Sequence, residues 1–125
     1  MAIAAIGVFA VPGFTHAQPV SRFDGVYDLR STTLVPGSIA DYGKRPCSLE
    51  LHARPLHIVG GHATAVFRRD SDAAGDVGPG GALTMMNSGA SLEFTGQIDD
   101  QGSVRGYLNT FDGCGYDLAL QKRSP

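Results

Sequence analysis

Residues 92–122 read LEFTGQIDDQGSVRGYLNTFDGCGYDLALQK, and their pattern decides the fold. Leu92, Phe94, Gly96 and Ile98 alternate with Glu93, Thr95 and Gln97. A side-chain period of two puts the first set on one face of a strand and the second on the other. Asp99, Asp100, Gln101 and Gly102 then reverse the chain. The two Asp residues suit the early turn positions, and Gly102 takes the positive φ that closes a short hairpin loop after a type I turn. Val104, Gly106 and Leu108 carry the apolar row back. With Ile98 facing Val104, Gly96 lies opposite Gly106, which marks a tight bend or a bulky group packed over bare backbone. A second turn at residues 110–113 leads to Cys114, Tyr116, Leu118 and Leu120 inward, with Asp117 and Gln121 outward. Three antiparallel strands in chain order form a meander with one wet face.

The 125 residues include an apolar run at 2–11, the length of a signal-peptide core and too short to span a bilayer. Thr15, His16 and Ala17 follow as a small-residue cleavage site, although no Lys or Arg precedes the run. Residues 1–17 therefore read as a signal peptide and 18–125 as a single β domain, placed in the periplasm or secreted. In that setting Cys47 and Cys114 most simply form one disulfide. Ten basic against twelve acidic residues, with no basic run, argue against a nucleic-acid partner. No later segment is long or apolar enough to insert in a membrane as a helix.

Outward from that stretch, Phe23, Gly25, Tyr27 and Leu29 share the inner face of a first strand over residues 23–34. Residues 35–46 read as a loop, and 47–52 as a second strand with Cys47, Leu49 and Leu51 in phase. Gly60 and Gly61 join a hairpin that puts Leu56, Ile58, Ala63, Ala65 and Phe67 on one face and His57, Val59, His62 and Thr64 on the other. Residues 70–81, DSDAAGDVGPGG, read as the least structured stretch, with a flexible connector at Gly78, Pro79, Gly80 and Gly81. A short strand over 83–87 precedes a turn at 88–90. The fold class is all-β, an antiparallel meander of six to eight strands forming a small barrel or a two-sheet sandwich.

No nucleophile elbow, zinc-protease signature or phosphate loop is present, so no catalytic residue, cofactor or enzyme activity is assigned. Asp99 and Asp100 are explained by turn chemistry. His52, His57 and His62 would suit zinc or copper if brought together, but a spacing of five with a proline between is no ligand pattern, so no metal is assigned. Residues 70–75 begin like a calcium loop and then lose its ligands at Ala74 and Gly81. Tyr107 on a polar phase, with Tyr42 and Phe111 in loops, offers a small exposed aromatic patch.

The segments FDGVYDL, FTGQIDDQGSVRG and CGYDLAL, with Cys47 and its alternating leucines, resemble small exported single-disulfide all-β proteins of proteobacteria. The opening F-x-G-x-Y is also similar to the first strand of lipocalin-like and avidin-like barrels, and of small periplasmic metalloprotease inhibitors built on such barrels. Two cysteines and the absence of Trp depart from those barrels. The resemblance implies an antiparallel β domain and supplies no catalytic residue. The expected function is a non-catalytic exported binding or inhibitory module that meets another protein through the loops at 35–46 and 70–81. The alternative is a carrier of a small apolar ligand inside the barrel, where Gly96, Gly106, Ala63 and Ala65 leave room.

Overall fold

The structure, a computed structural model, describes residues 21–36, 47–48, 51, 53–68, 71–110 and 113–124. Eight antiparallel strands follow in chain order: β1 Gly25–Leu34, β2 Leu56–Val59, β3 His62–Arg68, β4 Ser71–Val77, β5 Ala82–Asn87, β6 Leu92–Ile98, β7 Ser103–Thr110 and β8 Gly115–Lys122. Each pairs with the next, and β8 pairs back onto β1 from Tyr27 opposite Lys122 to Leu34 opposite Tyr116. The sheet is a closed barrel, the first of the two architectures expected. A bulge between Leu29 and Ser31 swaps the inward phase of β1 in mid-strand, so Tyr27 and Leu29 point in before it and Leu34 packs on the core after it.

β6 and β7 pair in the expected register, with Ile98 opposite Val104 and Gly96 opposite Gly106, and β8 follows antiparallel to β7. The bulky group over the bare backbone is Phe94, from the same strand. A Cβ built on Gly96 or Gly106 would run into its ring, and one on Gly106 would also meet the Thr95 carbonyl. The ring is fully buried and packs against Phe67, with centroids 5.1 Å apart and planes tilted by 31°. Eight strands enclose a space that side chains can just fill. Here Tyr27, Leu56, Ile58, Phe67, Leu83, Met85, Phe94, Val104, Leu108 and Tyr116 belong to a single buried cluster.

Three of the hairpin turns repeat one design. Asp99 N–H donates to Ser103 O at 3.0 Å and Gly102 N–H to Asp99 O at 3.2 Å, with Gly102 at φ 79°. The same two bonds join Gly78 to Ala82 and Gly81, and Thr110 to Cys114 and Gly113. Gly81 and Gly113 hold the matching positive φ. This is a type I turn closed by a left-handed residue, the geometry read from the Asp99–Gly102 sequence. Gly60 and Gly61, at φ 60° and 80°, make the primed turn between β2 and β3.

Two expectations are corrected. Residues 71–77 form strand β4, and the glycines after it form a defined turn instead of a flexible connector. β4 looked like a loop because its inward positions are Ala73, Gly75 and Val77, small enough for the strand to lie close to β5; a Cβ on Gly75 would strike the Thr84 carbonyl. The expected strand over 47–52 is absent at its described residues: Cys47, Ser48 and Leu51 lie outside every strand. β1 pairs with β2 only over Gly25–Tyr27 and with β8 along its other edge, and the described residues of the 47–52 segment join no ladder. Their alternation records packing instead. Cys47 is buried and bonded to Cys114 with Cα atoms 5.7 Å apart, Leu51 packs on the core, and the Tyr116 hydroxyl donates to Ser48 O at 2.7 Å. The expected disulfide is formed, and linking residues 67 apart contributes about 4 kcal/mol in the chain-entropy picture.

The Phe94 packing predicts the outcome of adding one methyl group. Gly106→Ala should destabilise by about 1–3 kcal/mol, the usual cost of overpacking. Gly80→Ala, which meets nothing within 4 Å, should change stability by less than about 0.5 kcal/mol. Urea unfolding of the two variants checks both.

Candidate functional site

The two ends of the barrel are covered differently. At the end carrying the β2–β3, β4–β5 and β6–β7 turns, the segment entering β1 acts as a seal. Phe23 is buried there, and its carbonyl accepts the Tyr27 hydroxyl at 2.6 Å. Burial, and secondarily the Asp24 charge, push the Tyr27 hydroxyl's pKa up, so it stays a donor. Asp24 Oδ2 accepts the Gly60 N–H at 2.7 Å and Oδ1 the Gly61 N–H at 3.0 Å. Arg22 reaches Asp100 at 3.1 Å and lies 4.6 Å over the Phe23 ring. Both partners of that ion pair are well exposed, so it adds little, whereas the carboxylate on two turn N–H groups is a directed contact. A small polar pocket of about 170 Å³ lies between this seal and residues 99–102.

At the opposite end the fixed point is Cys47 on Cys114, with Ser48 and Leu51 laid against the barrel. Thr110 is the buried polar residue among those described, and its hydroxyl donates to Cys114 O at 3.0 Å. Among the described residues no buried side-chain nitrogen or oxygen lacks a hydrogen bond. The space that Gly96 and Gly106 leave is taken by the Phe94 ring, and Ala63 and Ala65 are buried in the same cluster. The outer face carries Asp72, Asp76, Glu93, Arg105 and Asp117, the reverse of a barrel whose apolar face meets lipid. Among the described residues no helix is long and apolar enough to cross a membrane.

A groove of about 590 Å³ lies on that face, across β2, β3, β4 and β5. Two rows of outward residues build it. In one, His57, Thr64, Ala74 and Met86 stand side by side through the β2–β3, β3–β4 and β4–β5 registers. In the other, Arg54 N–H donates to Val66 O at 2.8 Å, Val66 faces Asp72, and Ser88 follows beyond β5. Ala74 is the low point, flanked by Thr64 and by Met86, whose side chain is 45% exposed. The floor is set by small buried residues beneath, Ala65 and Ala73.

The residues singled out in the sequence are distributed as follows. His57 and His62 do share the outer face, as the strand phases required, but His62 Nδ1 contacts Asp76 Oδ1 at 3.2 Å and His57 lines the groove. His52 lies outside the described residues, as do residues 1–17, residues 37–46 with Tyr42, and Phe111. Among the described residues no three His, Cys, Asp or Glu side chains come together as a metal set. Asp99 is the turn residue expected: Oδ1 accepts the N–H groups of Gln101 and Ser103, each at 2.9 Å. Tyr107 is exposed and lies across β8 at Gly115, whose missing side chain makes room for it. The groove itself was not read from the sequence, since its residues come from four strands whose order is known only once the barrel is closed. No protein-family model matches the chain, and no curated protein matches its sequence.

Asp24 yields a test of the seal. Burial pushes its carboxyl up, but the N–H groups of Gly60, Gly61 and Ser21 and the Ser21 hydroxyl outweigh that and hold it below the usual carboxylate value. A folded pKa below the unfolded one means the stabilisation is complete above about pH 4 and is lost as pH falls through the folded value. Asp24→Asn should therefore cost about 1 kcal/mol or more at about pH 7, and the gap to the wild type should shrink at about pH 2.5. Urea midpoints of both proteins at the two pH values measure it.

Proposed function

We propose that this protein is a non-catalytic binding module that acts outside the cytoplasm and contacts another protein through the outer groove on β2–β5. The observation that carries the reading is the contrast between a filled interior and an open exterior. The interior is occupied by the Phe94 ring and its neighbours, while Met86, Ala74 and Val66 form an apolar depression on the outer face. Small depressions with an apolar floor and a charged rim suit side chains of a partner. The buried disulfide and the apolar run at residues 2–11 support the periplasm or the cell exterior as the place of work.

The contact surface differs from the loops named in the sequence reading. Residues 71–77 are a strand whose outward side chains, Asp72 and Ala74, line the groove, so that stretch contributes a wall instead of a loop. A carrier function would need space inside the barrel, and the packing of Phe94 over Gly96 and Gly106 counts against it. The likeness to exported single-disulfide β proteins agrees with a module of this kind.

A photoreactive benzoyl-phenylalanine placed at Met86 tests the surface, with the same group at Asp117, exposed on the opposite wall, as control. After irradiation with the exported fraction of its own source, a discrete adduct from position 86 and none from position 117 is expected. Equal adducts at both positions, or none at 86, would overturn the groove as the contact surface.

A further inference from the structure

We infer that the groove takes an extended segment of the partner protein that carries an acidic and a bulky apolar residue on one face. The inference rests on the surface proposed above and adds the chemistry of its occupant. Strand pairing is the first constraint. At the floor of the groove β4 is paired with β3 on one edge and with β5 on the other, so a partner lying there cannot add a strand and gain main-chain bonds. Recognition falls to the outward side chains.

Those side chains are polarised across the groove. Arg54 and His57 stand at its β2 side, and Asp72 stands on β4. Among the described residues no ion pair engages Arg54 or Asp72, so both charges face the groove without a protein partner. An anionic side chain is drawn to the β2 side and repelled from the β4 column. An apolar side chain seats at Ala74, where the wall is lowest, against Met86. Neighbouring strands are about 4.8 Å apart, which puts the β2 and β4 columns about 10 Å apart and the β2 and β5 columns about 14 Å apart. An extended chain returns to the same face every two residues, about 7 Å, so acidic and apolar residues four positions apart, about 14 Å, reach the β2 and β5 columns together. An odd spacing turns one of them away.

Fluorescence anisotropy with labelled Ser/Thr peptides of about seven residues tests the assignment. One carries Glu and Leu four positions apart, one Lys and Leu at that spacing, and one Glu and Leu three apart. The first should bind at least about threefold more tightly than either of the others, the size expected for an exposed ion pair. The advantage over the Lys peptide should fall in high salt and reverse in Arg54→Glu. Equal affinities, or a preference that Arg54→Glu leaves unaltered, would overturn the inference. So would the failure of all three peptides to bind at millimolar concentration. Ala74→Arg, which fills the groove, separates this failure from that of the underlying surface. If charge preference is absent but Ala74→Arg still abolishes binding, only the occupant's chemistry is wrong. If binding survives Ala74→Arg, the groove is not the surface. Both substitutions are at exposed positions, and circular dichroism confirms that the variants are folded.

Discussion

The pairing of β1 with β8 is the constraint on which the rest of the molecule depends. It uses the last free edges of the meander and fixes the circumference at eight strands. At that size the interior is a layer of side chains, with large rings accommodated where the opposing wall is bare backbone. Phe94 over Gly96 and Gly106 is that accommodation, and a methyl group on either glycine would contest it. At the groove, the pairing of β4 with both β3 and β5 leaves no edge for strand addition, so a partner there meets outward side chains.

The two ends are held by unlike means. One depends on hydrogen bonds and a buried ring from the segment entering β1, with the Asp24 carboxylate clamping the β2–β3 turn. The other depends on a covalent link between Cys47 and the turn before β8, reinforced by the Tyr116 hydroxyl on Ser48 O. The first is sensitive to acid through Asp24, and the second to thiols in a reducing compartment. A domain of this size has a net stability of only about 5–15 kcal/mol, so either fastening is a sizeable part of it.

Much of this was legible in the sequence because local rules and global packing agree. The alternation from Leu92 onward, the turn at Asp99 to Gly102 and the facing glycines set the register of β6 on β7, and Gly60 with Gly61 marked a further turn. The reading failed where packing demanded unusual residues. β4 has Ala73 and Gly75 where a strand normally shows β-branched or aromatic side chains, and at Gly75 a Cβ would strike the Thr84 carbonyl of β5. Composition alone made it a loop. Cys47 and Leu51 alternate like a strand yet lie outside every strand. Most of the candidate site was hidden for a different reason: Arg54, His57, Asp72 and Met86 are distant in sequence, and only the order of strands around the barrel makes them neighbours.

The central claim is that the interior is occupied by the protein itself and that recognition takes place outside. Methyl NMR during titration with a medium-chain fatty acid tests it most directly, using Leu56, Leu83, Leu108 and Met85 as interior reporters and Met86 as the exterior one. The account predicts that the interior methyls stay in place at every concentration of the fatty acid. Saturable shifts at Leu83, Leu108 and Met85, with Met86 unmoved, would show a ligand inside the barrel and contradict it.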